Sequence, residues 1–454
     1  MPIHATASRR LSMTDSICGR AFMKTTSYID RVMNVEELFE RRKDDPIWNT
    51  SYPVCPSDWA RYRMSRPLSF DGEREMSFYI HIPFCRHLCS FCEYTRMACP
   101  DEEAQRLYVQ TIDADVCRFM DERRDVRLRG FDIGGGTPTA LSDSNLEYLL
   151  QTFAKALDRL GTTDDFEPSI EATFDTITDR KAVLIANAGI RRMSFGLQST
   201  DEEVLRQNHR YMTALEEMSQ TLRMLHGHGI RKVNIDLMYG LKGQTVSMLH
   251  NDLRAIRMLN PEQVTLYELR TNMIHETAHL SKAELYEAYS FLYEGLTVMG
   301  YHARFGQNTF SKFADDMGVS SYLRSRMLYG VPYKGFGMSA QSMSHEGVSY
   351  NIGTSARSLR HIIGSGTYDE EYVYVLPPDE LAAKYIAIGA YSGSFSLDCL
   401  SELIGRDARK AYAEQLRYCL DMGYVSILDG DRVAVTPRGF EYYGAVFSLF
   451  YKPV

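Results

Sequence analysis

The sequence predicts an α/β chain built on a partial (β/α)6 barrel, TIM-like but incomplete, followed by a small winged-helix-like domain. Three observations carry this reading. Short β-branched or aromatic runs alternate with amphipathic helical stretches six times between about residues 77 and 300, the pattern of a parallel sheet with crossover helices. Each of the six strand candidates ends on a polar group or glycine, at the end where parallel barrels keep their active sites. Near the C terminus, "GYVSILDGDRVAVT" sets two short strands around an Asp429-Gly430 turn.

Residues 1–27 are rich in Ser, Thr and Arg, hold one acid (Asp15) and lack an apolar secretion core, so a disordered leader is expected. Residues 28–76 have no strong periodicity and are expected to wrap the barrel as an N-terminal arm. The barrel, 77–300, has its strands at "SFYIHI" (77–82), "LRGFDI" (128–133), "PSIEAT" (168–173), "RRMSFG" (191–196), "KVNIDL" (232–237) and "EQVTLYEL" (262–269). Helical stretches such as "DSNLEYLLQTFAKALDRL" separate them. A closed barrel uses eight units, so six imply a lateral opening. Residues 301–375, with the loop-like run "YKGFGMSAQSM", are expected to cover it, and residues 376–454 to form the C-terminal domain.

Composition narrows the function. With 51 basic and 59 acidic residues, a formal charge of −8 and no basic stripe, nucleic acid is not an expected partner. A membrane is not one either, since no apolar run approaches the roughly 18 residues of a span. The nine cysteines are odd in number and mostly scattered, as suits a reducing compartment, and a cytoplasmic location is expected.

Against that scatter, Cys85, Cys89 and Cys92 are crowded onto one loop after the first strand. Compact soft thiolates select an iron–sulfur cluster, copper(I) or zinc. His81, His87 and Cys99 lie near enough to supply a fourth zinc ligand, so ligand count leaves zinc open. The other strand ends favour the cluster. They present the glycines of "GGGTPT" (134–139), then Glu171, Gln198 with Arg210, Asp236, and Tyr267, Glu268 and Arg270. A cluster with one open iron, a glycine loop and a rim of carboxylate, amide and guanidinium groups suits S-adenosylmethionine, whose amino and carboxylate groups chelate that iron.

The chain resembles the radical S-adenosylmethionine superfamily, whose hallmark is this CxxxCxxC. More closely it resembles the oxygen-independent coproporphyrinogen III oxidase family, which also holds heme-chaperone and methyltransferase relatives. "FYIHIPFCRHLCSFC", "GGGTPT", "RMSFGLQS" and "NIDLMYGLKGQT" are similar to that family's blocks in order, as are "TSYP", "GFGMSAQSM" and "VTPRGFEYY". The resemblance implies that Cys85, Cys89 and Cys92 bind a 4Fe-4S cluster and that Tyr79 and Phe91 line the cofactor. It implies that Gly135, Gly136, Thr137 and Glu171 hold S-adenosylmethionine, and that Gln198, Arg210 and Asp236 match positions contacting a second one. The chain departs from the oxidase at Tyr94-Thr95, at Tyr267-Glu268-Leu269-Arg270-Thr271 and at Gln307-Asn308, and from the chaperone block at "SSYLRSRMLYG".

The function expected is reductive cleavage of S-adenosylmethionine to a 5′-deoxyadenosyl radical that takes hydrogen from an organic substrate. The model reaction is oxidative decarboxylation in porphyrin metabolism, with flavodoxin or ferredoxin as the kind of electron donor implied. Glu268, Arg270 and Tyr94 are the candidates for substrate positioning or proton transfer. Alternatives are a two-S-adenosylmethionine methyltransferase or cyclopropanase acting on a tetrapyrrole or natural product, a non-catalytic heme-binding or heme-delivery protein, and a zinc-stabilised barrel enzyme.

Overall fold

The computed structural model describes residues 34–44, 52–53, 56–271, 279–353, 355–367 and 370–453; the expected leader lies outside them. Strands are β1 (Arg63–Met64), β2 (Glu75–Ile82), β3 (Phe84–Cys85), β4 (Met97–Ala98), β5 (Arg127–Gly135), β6 (Ser169–Ala172), β7 (Arg192–Gln198), β8 (Lys232–Tyr239) and β9 (Gln263–Glu268). They continue with β10 (Thr309–Ser311), β11 (Tyr333–Phe336), β12 (Gln341–Met343), β13 (Gly347–Asn351) and β14 (Glu370–Val375), then β15 (Ser394–Ser396), β16 (Val425–Leu428) and β17 (Arg432–Val435).

The six strands β2, β5, β6, β7, β8 and β9 pair in parallel in that order and overlap the six predicted runs. They are buried along nearly their whole length, as strands covered on both faces must be. The crossover helices form for sequence reasons. In Asp143–Leu160, Ser142 caps the N terminus by accepting from the Asn145 amide, and Leu146, Leu149, Leu150, Phe153 and Ala156 make one buried stripe. Gly161, at φ 68°, ends the helix.

The sheet continues beyond the barrel on both sides, to twelve strands in the order β1-β14-β13-β12-β11-β2-β5-β6-β7-β8-β9-β10. β11 adds a parallel neighbour to β2, and β12, β13, β14 and β1 follow antiparallel. The run "YKGFGMSAQSM", read as a loop, therefore carries two strands. β11 is four residues long with a glycine inside, and its buried Tyr333 and Phe336 gain their place only by pairing with β2, a contact no local pattern announces. Helix Ser321–Tyr329 packs against β5 and β2, and helix Pro378–Gly389 packs on that helix in turn.

The C-terminal region runs as helix, strand β15, three helices (Leu397–Ile404, Ala408–Ala411 and Ala413–Asp421) and the β16–β17 hairpin, in keeping with a winged helix. β17 pairs with β16 and β15, and Asp429 (φ 51°) and Gly430 (φ 73°) form the predicted turn. Of the arm, helix Val35–Arg42 stacks Phe39 on Tyr424 at 5.0 Å. Among the described residues no helix is long and apolar enough to cross a membrane.

Candidate functional site

The cysteine loop is pinned at its base. The Met97 amide donates to the Pro83 carbonyl (2.8 Å) and the Cys99 amide to the Cys85 carbonyl (3.0 Å), so β3 and β4 close residues 86–96 into a compact excursion. His81 clamps it from β2. Its Nε2 lies 2.8 Å from the Thr95 carbonyl oxygen, which only accepts, so Nε2 carries the proton and Nδ1 accepts from the Tyr79 hydroxyl at 3.2 Å. Burial holds the His81 pKa down at about 4, keeping the ring neutral.

The glycine loop lies directly against the thiols. A Cβ on Gly136 would stand 2.9 Å from Cys85 Sγ and 2.7 Å from the Pro83 carbonyl carbon; Gly135 adopts φ 111°, and a Cβ there would meet His81 at 2.4 Å. Thr137 Oγ1 donates to Cys85 Sγ (3.7 Å) and Arg210 Nη1 to Cys89 Sγ (3.5 Å). The Gly135 amide donates to Glu171 Oε2 at 3.0 Å.

These groups line a cavity of about 230 Å³ at the C-terminal ends of the strands. Cys85, Cys89, Cys92, Phe91, Tyr94, Gly135, Gly136, Thr137, Glu171, Gln198, Arg210, Asp236, Glu268 and Arg270 all border it. Of the expected site residues Tyr79 alone does not. Two positions before His81 on the same face of β2, it lies about 7 Å further down the barrel, where it stacks on Tyr322 at 5.7 Å.

The rim acids are held protonated toward neutrality. Burial pushes the Glu171 pKa up to about 7 and that of Asp236 up to about 6, the latter despite hydrogen bonds from Asn234 and Ser194. Tyr94 borders the same cavity and is exposed, with 58% of its surface accessible. Arg270 pairs with Glu93 at 3.3 Å and donates to the Tyr391 hydroxyl. Glu93 and Tyr391 escaped the sequence reading. Glu93 was signalled only by its place beside Cys92, whereas Tyr391 comes from the C-terminal region and carries no local signal.

The residues present fit a cluster with its nucleoside cofactor. The three cysteines are free thiols, and burial raises Cys85 to about 11, so iron rather than intrinsic acidity would supply the thiolate. The candidate fourth zinc ligands are engaged elsewhere: Cys99 with Ala140 and Gln105, His87 with Asp175, His81 as above. Among the described residues no three His, Cys, Asp or Glu side chains gather as around a single ion. Gln198, at φ 71° on a bulge of β7, borders the same cavity, and its carboxamide oxygen is buried with no hydrogen-bond partner.

Comparison with known proteins bears directly on this arrangement. Residues 79–256 match the model of the radical SAM superfamily. The chain carries a radical SAM domain. It is 32% identical over 198 residues to a heme chaperone HemW of Haemophilus influenzae, a match covering 43% of this chain and 51% of that one. The chain thus spans about half the length of that relative. An oxygen-independent coproporphyrinogen III oxidase of Bradyrhizobium diazoefficiens is 26% identical over 419 residues, covering 85% of this chain and 90% of its own. Among solved structures, coproporphyrinogen III oxidase (HemN) from Escherichia coli superposes with a TM-score of 0.67 over 83% of this chain and 90% of that one, at 21% identity. That likeness is one of fold. It joins the radical SAM domain to the wider sheet and C-terminal region described above.

Proposed function

We propose that the protein is a radical SAM enzyme of the coproporphyrinogen III oxidase kind, acting on a tetrapyrrole or similar carboxylate-bearing substrate with electrons from a small iron–sulfur or flavin donor. The observation that supports it best is the meeting, around one cavity, of three free thiols, a backbone cradle without Cβ atoms and the rim residues Glu171, Gln198, Arg210 and Asp236. Cys85, Cys89 and Cys92 would hold the 4Fe-4S cluster; Gly135, Gly136, Thr137 and Glu171 would hold S-adenosylmethionine, with Gln198, Arg210 and Asp236 placed for a second. When bound, this pair supplies one-electron cleavage of a carbon–sulfur bond and so a route to hydrogen abstraction.

The chain's own groups prepare that chemistry. Thr137 and Arg210 direct an O–H and an N–H at cysteine sulfurs, which draws charge from them and tunes the site's potential. Glu171 accepts from the Gly135 amide and fixes the glycine loop. Tyr94, at the border of the cavity, meets substrate as a hydroxyl, while Arg270, steadied by Glu93 and Tyr391, offers a guanidinium beside Glu268. Decarboxylation of a propionate and methyl or methylene transfer from a second S-adenosylmethionine both fit this arrangement.

The test is anaerobic reconstitution with iron and sulfide, then mass spectrometry of mixtures holding methyl-deuterated S-adenosylmethionine and candidate porphyrinogens. Carbon dioxide loss without label supports the oxidase reaction, and label in the product supports transfer. The second reading, heme delivery, is favoured by the relatives named heme chaperones; tight heme binding with no 5′-deoxyadenosine released would replace the enzyme with it.

A further inference from the structure

Helix Pro378–Gly389 is buried almost all round: Glu380, Leu381, Ala382, Ala383, Tyr385, Ile386, Ala387 and Gly389 are covered. Past its first turn only Lys384 and Ile388 keep accessible surface, and so does Tyr391 just beyond its end. The spacing of four and then three puts them on one stripe of the helix. Tyr391 already borders the cofactor cavity. The stripe leads away from that cavity along the helix, with Lys384 about 10 Å beyond Tyr391.

The groups packed around this stripe are aromatic and cationic. Ile388, Tyr79 and Tyr350 pack partly buried against one cluster with Tyr322 and Tyr333. Arg326 lies over the rings of Tyr333 (4.1 Å) and Tyr322 (5.1 Å) and donates to both hydroxyls, while its Nε is buried with no acceptor. The Lys384 ammonium has three donors and gives one to the Tyr52 carbonyl at 2.9 Å. Neither cation has a carboxylate partner among the described residues; Asp132, which senses Arg326, is hydrogen-bonded to Ser320. Burial, with smaller contributions from Arg326 and Arg270, pushes the Lys384 pKa down to about 7. An enclosed guanidinium beside a buried amine, with no counter-charge, favours an anion brought in between them.

We infer that the cavity extends past Tyr391 into an aromatic chamber whose far end, Lys384 with Arg326, binds a carboxylate of an elongated organic substrate. This deepens the proposed function by assigning one end of the substrate, and rests on the cavity being a substrate site. Tyr79 belongs to this chamber.

The test titrates the reconstituted full-length protein, without oxygen, with coproporphyrin III and separately with its tetramethyl ester, reading fluorescence quenching. Wild type should bind the acid at least about tenfold more tightly than the ester, the worth of one charge-assisted hydrogen bond. Lys384→Met should weaken the acid by about the same factor and leave the ester unchanged, and Lys384→Arg should restore acid binding, which a misfolded variant would not. S-adenosylmethionine affinity and substrate-free release of 5′-deoxyadenosine should be unaffected by Lys384→Met. The inference is overturned if wild type shows no preference for the acid, or if Lys384→Met and Arg326→Met both bind it as wild type does. It is overturned equally if Lys384→Met loses S-adenosylmethionine instead. Should wild type release no 5′-deoxyadenosine while Lys384→Met still loses the acid, the chamber stands and the catalytic reading falls.

Discussion

The two sides of the cavity differ in charge and in origin. The barrel side, built from β2 and β5 to β9, carries the cysteines and three acids, Asp132, Glu171 and Asp236, which burial raises to about 7, 7 and 6. The facing side brings Arg326 and Lys384 from helices Ser321–Tyr329 and Pro378–Gly389, and Tyr391 to hold Arg270. The barrel side is assembled from strand ends that succeed one another in sequence. The opposite side is assembled from segments far apart in the chain.

The largest effect should fall on the barrel side alone. Cys89→Ser is expected to abolish the visible iron–sulfur absorbance after reconstitution and to reduce 5′-deoxyadenosine formation below detection, with far-ultraviolet circular dichroism unchanged because the residue sits in a loop. A variant that still reconstitutes would remove the barrel side from the comparison.

Arg270 joins the two sides. Arg270→Met leaves Glu93 as an uncompensated acid and should cost about 3 kcal/mol in chemical denaturation. The double variant with Glu93→Gln should recover part of it; simple additivity would show that the pair does not couple the two sides.

A pH profile probes the acidic side. Asp132 has a folded pKa raised above its unfolded one, so its contribution is most favourable below pH 4 and is lost as pH climbs toward 7. Asp132→Asn should therefore stabilise the cofactor-free protein by about 2 kcal/mol at pH 8 and leave it unchanged near pH 4. An equal gain at both pH values would assign the effect to packing.

The smallest effect concerns the wing. Asp429→Ala, at φ 51°, should cost about 1 kcal/mol, seen as a lower Tm, with cluster assembly untouched.

What was legible in the sequence follows the same divide. All six barrel strands and the residues at their ends were readable, because each strand, its closing loop and its ligand occupy one contiguous stretch with a local pattern. Tyr79, expected at the cofactor, reaches the site through His81 rather than as a border of the cavity, because a motif fixes which residues are near one another but not how deep each sits along a strand. β11 and β12 were missed because short, glycine-containing strands owe their form to β2. Tyr391 and Lys384 had no signature, since their chemistry depends on helices folding over the open side of the barrel. The Asp-Gly turn was readable because its backbone demand is local.

β2 is hydrogen-bonded on both flanks, to β5 along its length and to β11 from Ser77 to Ile80. The strand that launches the cysteine loop is thus interior to the twelve-stranded sheet, unlike a free margin that peels readily. Its amides should exchange with deuterium only when the whole molecule unfolds, while entry and exit of bound molecules fall to the helices across from it.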